Sequence, residues 1–580
     1  MLKSIQDEIR RRNINAAAVP LIKSTGCNGL CERGPIVKIE PDDIAYFHVS
    51  ADDAAEIAAK TIAEGEEIPR LLYLEAQTKK RIRSLKDTDF MKRQTKIALR
   101  NIGEIDPQNI QDYLDAGGYD ALRRALFDMT PEDIIDELKA SGLRGRGGGG
   151  FPTGVKWETC FKSDRFPKYI ICNGDEGDPG AFMDRSIMEG DPHSVLEGMI
   201  IASKALNVRN GYIYIRDEYD LALKNIRAAI GQARICNFLG EHILGSDHSF
   251  DLEVVRGGGA FVCGESTALM ASIEGRVGES RAKYIRTAEF GLWGQPTVLN
   301  NVETWVNVPV IIQKGAGWFS KLGSPGNAGT KVFSLVGKVK NTGLVEVPMG
   351  ITLEELIFGI GGGIGGGGDF KAVQTGGPSG GCIPKDMLGL RVDFDSLESA
   401  GSMMGSGGMI VMDDRTCMVD VARYFTNFLV GESCGKCVPC REGTRKMCAI
   451  LEDITGRKGG ADDIEALKEL GEAMSGAALC GLGQSAANPV LSTIKYFRDE
   501  YEEHIRDGFC RAGVCAGMYE ARISEKCVGC GLCVGACPAS AITGEAKSSR
   551  VVDGKLCIGC GACLDVCKVG AISPERRSGR

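Results

Sequence analysis

Apolar positions three and four apart mark the helices of this chain, and short apolar runs mark its strands. From Thr130, the segment PEDIIDELKASGL predicts a helix. Thr130 can cap it, Pro131 can occupy its first turn, and Asp133 complements its dipole. Across 140–325, short apolar runs alternate with helical patterns, with strands expected at 168–172, 211–215 and 250–255. That alternation predicts an α/β unit. Residues 330–415 hold the β-rich runs KVFSLVG and MIVM around a glycine tract at 359–368, which reads as a flexible loop. Helical patterns return over 417–505, for example at 447–455 and 462–474. At the front, a helical start leads into a short βαβ-like piece, extended at 36–39 and 46–49 and helical at 51–63. Residues 66–128 are polar and charged and read as a linker with helices.

Composition narrows the class. The chain has 580 residues, enough for several domains. It carries 78 glycines and 23 cysteines, both in excess, and a net charge of −8 with no basic block, which disfavours nucleic acid as a partner. No apolar run approaches a membrane span, and the charged start MLKSIQDEIRRR lacks the apolar core of a secretory signal. The cytoplasm is therefore the expected compartment. There, dense cysteines read as metal ligands rather than disulfides.

The cysteines fall into sets by spacing. Cys527, Cys530, Cys533 and Cys537 are followed by Cys557, Cys560, Cys563 and Cys567 in the same x2, x2, x3 spacing, with repeated flanks GCGLCVGACPASAIT and GCGACLDVCKVGAIS. This is the bacterial two-cluster ferredoxin pattern, in which the fourth cysteine of each run ligates the other cluster. One [4Fe–4S] is therefore assigned to Cys527, Cys530, Cys533 and Cys567, and the other to Cys557, Cys560, Cys563 and Cys537. Lys568 stands where a second proline is common. A further C-x2-C-x2-C run, Cys434, Cys437 and Cys440, supplies three corners of a cubane, with Cys480 as the distant fourth; by spacing alone zinc also suits it. His504, Cys510 and Cys515 suggest structural zinc but lack a visible fourth ligand. Cys27 and Cys31 form half of a four-thiolate set, which makes a complete cluster within this chain unexpected. Cys160, Cys172, Cys236, Cys263, Cys382, Cys417 and Cys448 read as mostly small buried residues.

The strongest signal without cysteine is GLRGRGGGGFPTG at 142–154. It contains a G-x-G-x-x-G pattern, but it follows a helix rather than a strand, which disfavours a plain Rossmann assignment. Bare glycine N–H groups can still approach a phosphate closely, with Arg144, Arg146 and Lys156 adding charge, although a flexible loop is the alternative. Asn173, Asp175, Glu176 and Asp178 follow the strand KYII and suit ribose, ribityl or ring-edge groups; an acidic turn is the alternative. Glu265 follows the glycines 257–259, and Asn300 and Asn301 offer paired amides.

Together GLRGRGGGGFPTG, CNGDEGDPGAF, GAFVCGES, GLWGQPTVLNNVET and SCGKCVPCREGT with Cys480 resemble the family of flavin subunits of respiratory complex I. The soluble relatives of that family are the beta subunits of hydrogenases, formate dehydrogenases and bifurcating transhydrogenases. The resemblance covers about 125–500, and the N-terminal piece and ferredoxin repeat extend it to the hydrogenase-type beta subunit. It implies a multidomain α/β plus α+β chain. The expected parts are a partial thioredoxin-like segment (1–65), a linker with helices (66–128), an FMN- and NAD(P)-binding α/β domain (129–328), a ubiquitin-like β-grasp domain (329–415), a helical bundle with [4Fe–4S] (416–508) and a two-cluster ferredoxin domain (509–580).

By motif position, Gly145, Arg146, Gly147 and Lys156 would hold the FMN phosphate end. Asn173, Asp175, Glu176, Gly264, Glu265, Asn300, Asn301 and Thr304 would line the cofactor site, with Glu176 and Asp178 in the catalytic role. A flavin can exchange a hydride on one side and single electrons on the other. The nucleotide residues would be Phe151, Ser266 and Arg286. Ser266 stands where NADH users have a second glutamate, Arg286 where an adenine-stacking phenylalanine is usual, and Thr159 where another phenylalanine is usual. Serine can donate to a 2′-phosphate that a carboxylate would repel, and arginine can stack and pair at once, so these departures favour NADP(H) over NAD(H). Drift in a site that still uses NADH is the alternative. The first cysteine pair of the family's N-terminal [2Fe–2S] is missing, so that cluster is expected to be absent unless another chain completes it.

The implied function is the NAD(P)H-exchanging FMN and iron–sulfur subunit of a soluble complex, electron-bifurcating and ferredoxin-linked. Its implied partners are a small thioredoxin-like [2Fe–2S] subunit, a larger catalytic subunit and ferredoxin. An NADH-dependent hydrogenase or formate dehydrogenase beta subunit, the arm of a quinone reductase, and a wiring scaffold with a degenerate nucleotide pocket are the competing readings.

Overall fold

A computed structural model describes residues 2–12, 22–75, 78–282 and 284–576. Residues 13–21 of the expected N-terminal segment lie outside the described residues. The helix expected after Thr130 runs Pro131–Ser141. The Thr130 hydroxyl accepts from Asp133 N–H, Asp133 accepts from Thr130 N–H, and Gly142 stops the helix at φ 68°.

Four parallel strands form the central α/β sheet: β1 (Tyr169–Gly174), β2 (Asn210–Ile215), β3 (Asp251–Arg256) and β4 (Thr297–Asn301), in the order β3-β2-β1-β4. Helices Pro192–Leu206 and Val302–Lys314 cover one face and are buried almost all round. The other face is apolar too, with Ile171 and Tyr214 fully buried against the helix Ser266–Ile273. Double coverage is what a parallel sheet requires. Register places Asn173 beside Asn301 and Cys172 beside Asn300, so the polar side chains of β1 and β4 gather at one carboxyl edge.

A five-stranded mixed sheet follows: β5 (Thr330–Gly337), β6 (Gly343–Pro348), β7 (Phe370–Thr375), β8 (Gly381–Pro384) and β9 (Gly408–Asp413), in the order β6-β5-β9-β7-β8. The central pair β5 and β9 is parallel and the other neighbours are antiparallel. The glycine tract beside this sheet is not a free loop. Gly361 and Gly363 carbonyls accept from Asn341 and Lys340, Gly365 N–H donates to the Lys338 carbonyl, and Ile360 is 1% exposed. Two isoleucines anchor the tract, and the missing side chains let its backbone lie against the 338–341 strand end.

Two further expectations are corrected. Residues 66–128 are no linker. Ile97, Leu99, Ile102, Tyr113 and Leu122 enter the main α/β core, while Phe90 and Met91 enter the core of the mixed sheet. Polar composition hid a set of apolar anchors spaced along irregular backbone. The front piece is not βαβ-like either: Val37–Ile39 and Ile44–Tyr46 form an antiparallel hairpin, and the helical segment 51–63 follows it.

Four helices, Met418–Glu432, Val438–Thr455, Asp463–Ala477 and Asn488–Glu502, make the bundle. Beyond it, strands Glu520–Ile523 and Ile572–Glu575 pair, as do Ile542–Thr543 and Val551–Val552, around two short helices, Leu532–Ala536 and Ala562–Asp565. Among the described residues no helix is long and apolar enough to cross a membrane.

Candidate functional site

The glycine loop lies where the α/β sheet meets the mixed sheet. Gly145 N–H donates to the Phe151 carbonyl at 2.9 Å, closing the loop. At Gly147, a Cβ would come within 2.9 Å of Asn301, so only glycine fits; at Gly149 nothing lies within 4 Å of one. The loop is thus tight on its Gly147 side and open on its Gly149 side, as a surface approached by an anion must be.

Both arginines expected to supply charge have structural work. Arg146 is 1% exposed. Its guanidinium donates to the carbonyls of Thr330 (2.9 Å), Arg144 (2.8 Å) and Ala328 (2.6 Å), and its backbone N–H donates to Thr304 Oγ1 at 2.8 Å. Burial pulls this guanidinium down to about 10. Arg144 donates to the Gly150 carbonyl, pairs with Asp395 and lies 4.4 Å over the Phe394 ring. Both the backbone N–H and the guanidinium of Arg146 are thus spent inside the protein, bracing the loop against Thr304 and β5. Lys156, on the helix Thr153–Phe161, donates to the Leu299 carbonyl at 2.8 Å and to Asn300 Oδ1 at 3.0 Å.

Past β1 the chain turns sharply. Asn173 Nδ2 donates to the Gly264 carbonyl at 2.9 Å, and its Oδ1 accepts from Asp175 N–H at 3.0 Å. Both carboxylate oxygens of Asp175 are buried without a protein partner, as is Nδ2 of Asn300. Burial pushes the Asp175 carboxyl up to about 7, against the opposing pull of Arg216. Buried polar atoms are rarely left unpaired unless a ligand or water completes them. An unpaired acceptor just past β1 and an unpaired amide donor on the neighbouring β4 fit the polar edge and ribityl chain of a flavin.

Glu176 is differently placed. Its two oxygens accept from the N–H groups of Asp184 and Arg185, each at 3.1 Å, at the start of the helix Met183–Gly190. It serves as that helix's cap, and its carboxyl is raised by burial. Asp178 accepts a hydrogen bond from Ser406 Oγ, next to Gly377 of the mixed sheet, and burial raises its carboxyl to about 6. Asn301 Oδ1 accepts from Glu303 N–H to cap Val302–Lys314, and its Nδ2 donates to Asp184. Glu265 caps Ser266–Ile273, accepting from the N–H groups of Thr267 (2.9 Å) and Ala268 (3.0 Å), while Ser266 Oγ donates to it at 3.1 Å. Arg286 lies 5.1 Å over the Phe151 ring, so two of the three expected nucleotide residues touch.

Cys434, Cys437 and Cys440 enter the helix Val438–Thr455 and meet Cys480 at the start of Gly481–Ser485. Burial raises the Cys440 thiol, and the neighbouring thiols of Cys437, Cys480 and Cys434 add to it. Cys434 and Leu482 pack on the Ile171–Tyr214 face of the α/β sheet, and Phe261 N–H donates to Glu432 at 2.8 Å. This thiol set therefore abuts the glycine-loop unit directly.

In the last domain, one cavity is lined by Cys537, Cys557, Cys560 and Cys563. A second is lined by Cys527, Cys530, Cys533 and Cys567. The fourth cysteine of each run crosses to the other set. The two halves repeat each other down to single bonds: Ala541 N–H donates to Cys537 Sγ at 3.3 Å, and Ala571 N–H to Cys567 Sγ at 3.2 Å.

The fourth ligand missing beside His504, Cys510 and Cys515 is Cys417. These four side chains are buried and their ligand atoms lie within 4.8 Å of one another. Cys417 is buried in the bundle core as expected, and the fold also brings it into this set; it stands 87 positions before His504, too far for any spacing motif. His504 Nε2 lies 3.4 Å from Cys417 Sγ and 3.3 Å from Cys515 Sγ. Its Nδ1 bonds to the Glu500 carbonyl at 2.7 Å, which orients Nε2 toward the thiols.

A glycine-loop α/β unit with a four-thiol set against its sheet and a duplicated four-thiol domain behind defines a flavin iron–sulfur protein. The family models agree. Residues 138–310 match the Nuo51 FMN-binding domain, 420–504 the NADH-ubiquinone oxidoreductase-F iron-sulfur binding region, and 521–573 a 4Fe-4S dicluster domain. The HndC subunit of the NADP-reducing hydrogenase of Solidesulfovibrio fructosivorans is 51% identical over 461 residues, covering 79% of this chain and 94% of its own. The second F-type subunit of the NADH-quinone oxidoreductase of Rhizobium meliloti is 44% identical, covering 71% and 98%. A crystal structure of an NAD+-reducing [NiFe]-hydrogenase in the H2-reduced state aligns with TM-score 0.63 at 29% identity, covering 87% of this chain and 81% of that one. The chain belongs to the family of complex I 51-kDa and hydrogenase flavin subunits. It is an NAD(P)H-dependent flavin iron–sulfur oxidoreductase carrying FMN and [4Fe–4S] clusters.

Proposed function

We propose that this chain is the nucleotide-facing subunit of an electron-bifurcating, ferredoxin-linked complex of the cytoplasm, with NADP(H) as its pyridine nucleotide. The observation that carries the overall reading is the packing of the Cys434 loop on the sheet that bears the glycine loop. When bound, FMN supplies exchange of a hydride with the nucleotide and of single electrons with a cluster. Gly147 and Lys156 would receive its phosphate end, on a loop that Gly145 closes through the Phe151 carbonyl and Arg146 braces through Thr304 and β5. Asp175, Asn173 and Asn300 would meet its polar edge. Glu176, Asn301 and Thr304 position these groups, and Asp178 is the carboxyl suited to hold a proton nearby. Ser266, with no second acid beside Glu265, and Arg286 on Phe151 would receive the 2′-phosphate and adenine. The NADP-reducing relative supports this choice. The Cys417, His504, Cys510 and Cys515 set suits zinc, being tetrahedral in number, closed and rich in thiolate. Relatives that are named as subunits support assembly with other chains; a small thioredoxin-like [2Fe–2S] subunit and a larger catalytic subunit are the partners this reading proposes. Viologen reduction by anaerobic holoprotein tests the nucleotide: faster turnover with NADPH is expected, and a large preference for NADH would defeat the Ser266 and Arg286 argument.

A further inference from the structure

Cys27 and Cys31 belong to none of the four metal-binding sets, yet the fold brings them together. Both are exposed, and each is close enough to shift the titration of the other. Gly29 between them sits at φ 87°, which turns the chain back on itself, and Cys31 Sγ points to the Gly29 carbonyl at 3.7 Å. The turn is fixed from outside. Leu344 N–H donates to the Gly29 carbonyl at 2.8 Å, and Cys31 N–H donates to the Thr342 carbonyl at 3.2 Å. Gly26 abuts Gly190, where a Cβ would come within 2.7 Å of the Gly190 Cα. The dithiol is thus held at the seam between the α/β unit and the mixed sheet.

We propose that Cys27 and Cys31 form a thiol–disulfide exchange site whose substrate is the disulfide of a small thiol. The two thiols are unequal. The neighbouring Cys31 thiol lowers Cys27 to about 6, with Gly29 and Lys96 helping and Glu189 opposing; Cys31 is raised by Cys27 and by Glu32. Cys27 is the nucleophile and Cys31 the resolving thiol. The Cys27 thiolate attacks one sulfur of R–S–S–R and expels RS⁻, which takes up a proton. Cys31 then gives up its proton and attacks the Cys27 sulfur, expelling the second RS⁻. Two protein thiols are oxidised to one disulfide while one small disulfide is reduced to two thiols, and excess small thiol reverses both steps.

Anaerobic holoprotein equilibrated in oxidised and reduced glutathione, then alkylated and digested, tests this at the tryptic peptide 24–33. Excess oxidised glutathione should make that peptide lighter by two hydrogens, with no glutathione retained, and excess reduced glutathione should restore it. Cys236, exposed and alone, serves as the reagent control, since it can only retain glutathione. Cys31→Ser should leave one glutathione stably on Cys27. The proposal fails if the wild-type peptide retains glutathione. It fails equally if its thiols stay reduced while Cys236 is modified, or if the Cys31→Ser peptide takes up no glutathione.

Discussion

Asp175 shows how one residue can be costly to the empty fold and useful to the loaded one. Its carboxyl is raised to about 7 chiefly by burial, and neither oxygen has a protein partner. The unfolded chain ionises this group near its ordinary value of 3.8. As pH rises from there toward 7, the folded state retains a proton that the unfolded state has lost, so stability falls; above 7 the loss is complete and flat. Asp175→Asn removes that cost. Flavin-free Asp175→Asn protein is therefore expected to be more stable than wild type by at most roughly 4 kcal/mol at pH 8, with the gap shrinking as pH falls toward 5. Denaturation of both proteins across that range measures it, and a gap independent of pH would refute it. The same variant should bind FMN more weakly. Nucleotide choice is a second residue-scale question. Ser266→Glu with Arg286→Phe puts a carboxylate opposite the 2′-phosphate and removes a cation, and about a tenfold shift of kcat/KM toward NADH, or about 1.4 kcal/mol, is expected. Steady-state kinetics with both nucleotides reads it. An unchanged ratio would place discrimination on other side chains.

Among the elements, the site joining the bundle to the ferredoxin domain makes the sharpest demand. It takes Cys417 from the start of one helix, His504 from the end of another, and Cys510 and Cys515 from the segment that leads out. Closed Cys3His sites bind zinc tightly enough to be part of folding. Holoprotein should contain one zinc per chain by elemental analysis, and Cys417→Ser should lose it while keeping the iron of the bundle cluster. Retention of zinc in that variant would show that Cys417 is no ligand. Cys417 also marks where sequence stops being informative. The x2 and x3 cysteine runs are legible because a single loop supplies most ligands of a cluster, so spacing encodes geometry. A ligand 87 residues away carries no spacing signal; only the packing of Met418–Glu432 against Asn488–Glu502 delivers it. The same limit explains segment 66–128, whose apolar anchors dock into two cores formed largely by residues far along the chain. It explains Arg144 and Arg146 as well. Charge beside glycines suggests a phosphate, but the carbonyls of Ala328 and Thr330 that claim Arg146 lie 182 and 184 positions further along the chain. Caps are legible where they are local, since Thr130 and Asp133 settle their helix end within four residues.

At the scale of the whole chain, order along the sequence becomes order in space. The glycine-loop unit, the Cys434 loop and the bundle share a boundary made by Cys434 and Leu482 on the sheet face and by Glu432 on Phe261. From the bundle the chain leaves through the Cys510–Cys515 segment, and Tyr519, four residues later, lines the cavity of the Cys537, Cys557, Cys560 and Cys563 set. That order predicts that an electron leaving a flavin held at the glycine loop would meet a cluster on the bundle thiols before either ferredoxin cluster. Removing the bundle cluster should divide the reaction in two. In Cys480→Ser protein, NADPH should still bleach the flavin absorbance in a stopped-flow mixing experiment, because the glycine loop and Asp175 are untouched. The ferredoxin-domain clusters, followed by their low-temperature paramagnetic signals in freeze-quenched samples, should stay oxidised over the same interval, whereas in wild type they become reduced. If they are reduced as fast in the variant, electrons reach the tail by a route that bypasses Cys434, Cys437, Cys440 and Cys480, and the packing of that loop on the sheet serves stability rather than transfer.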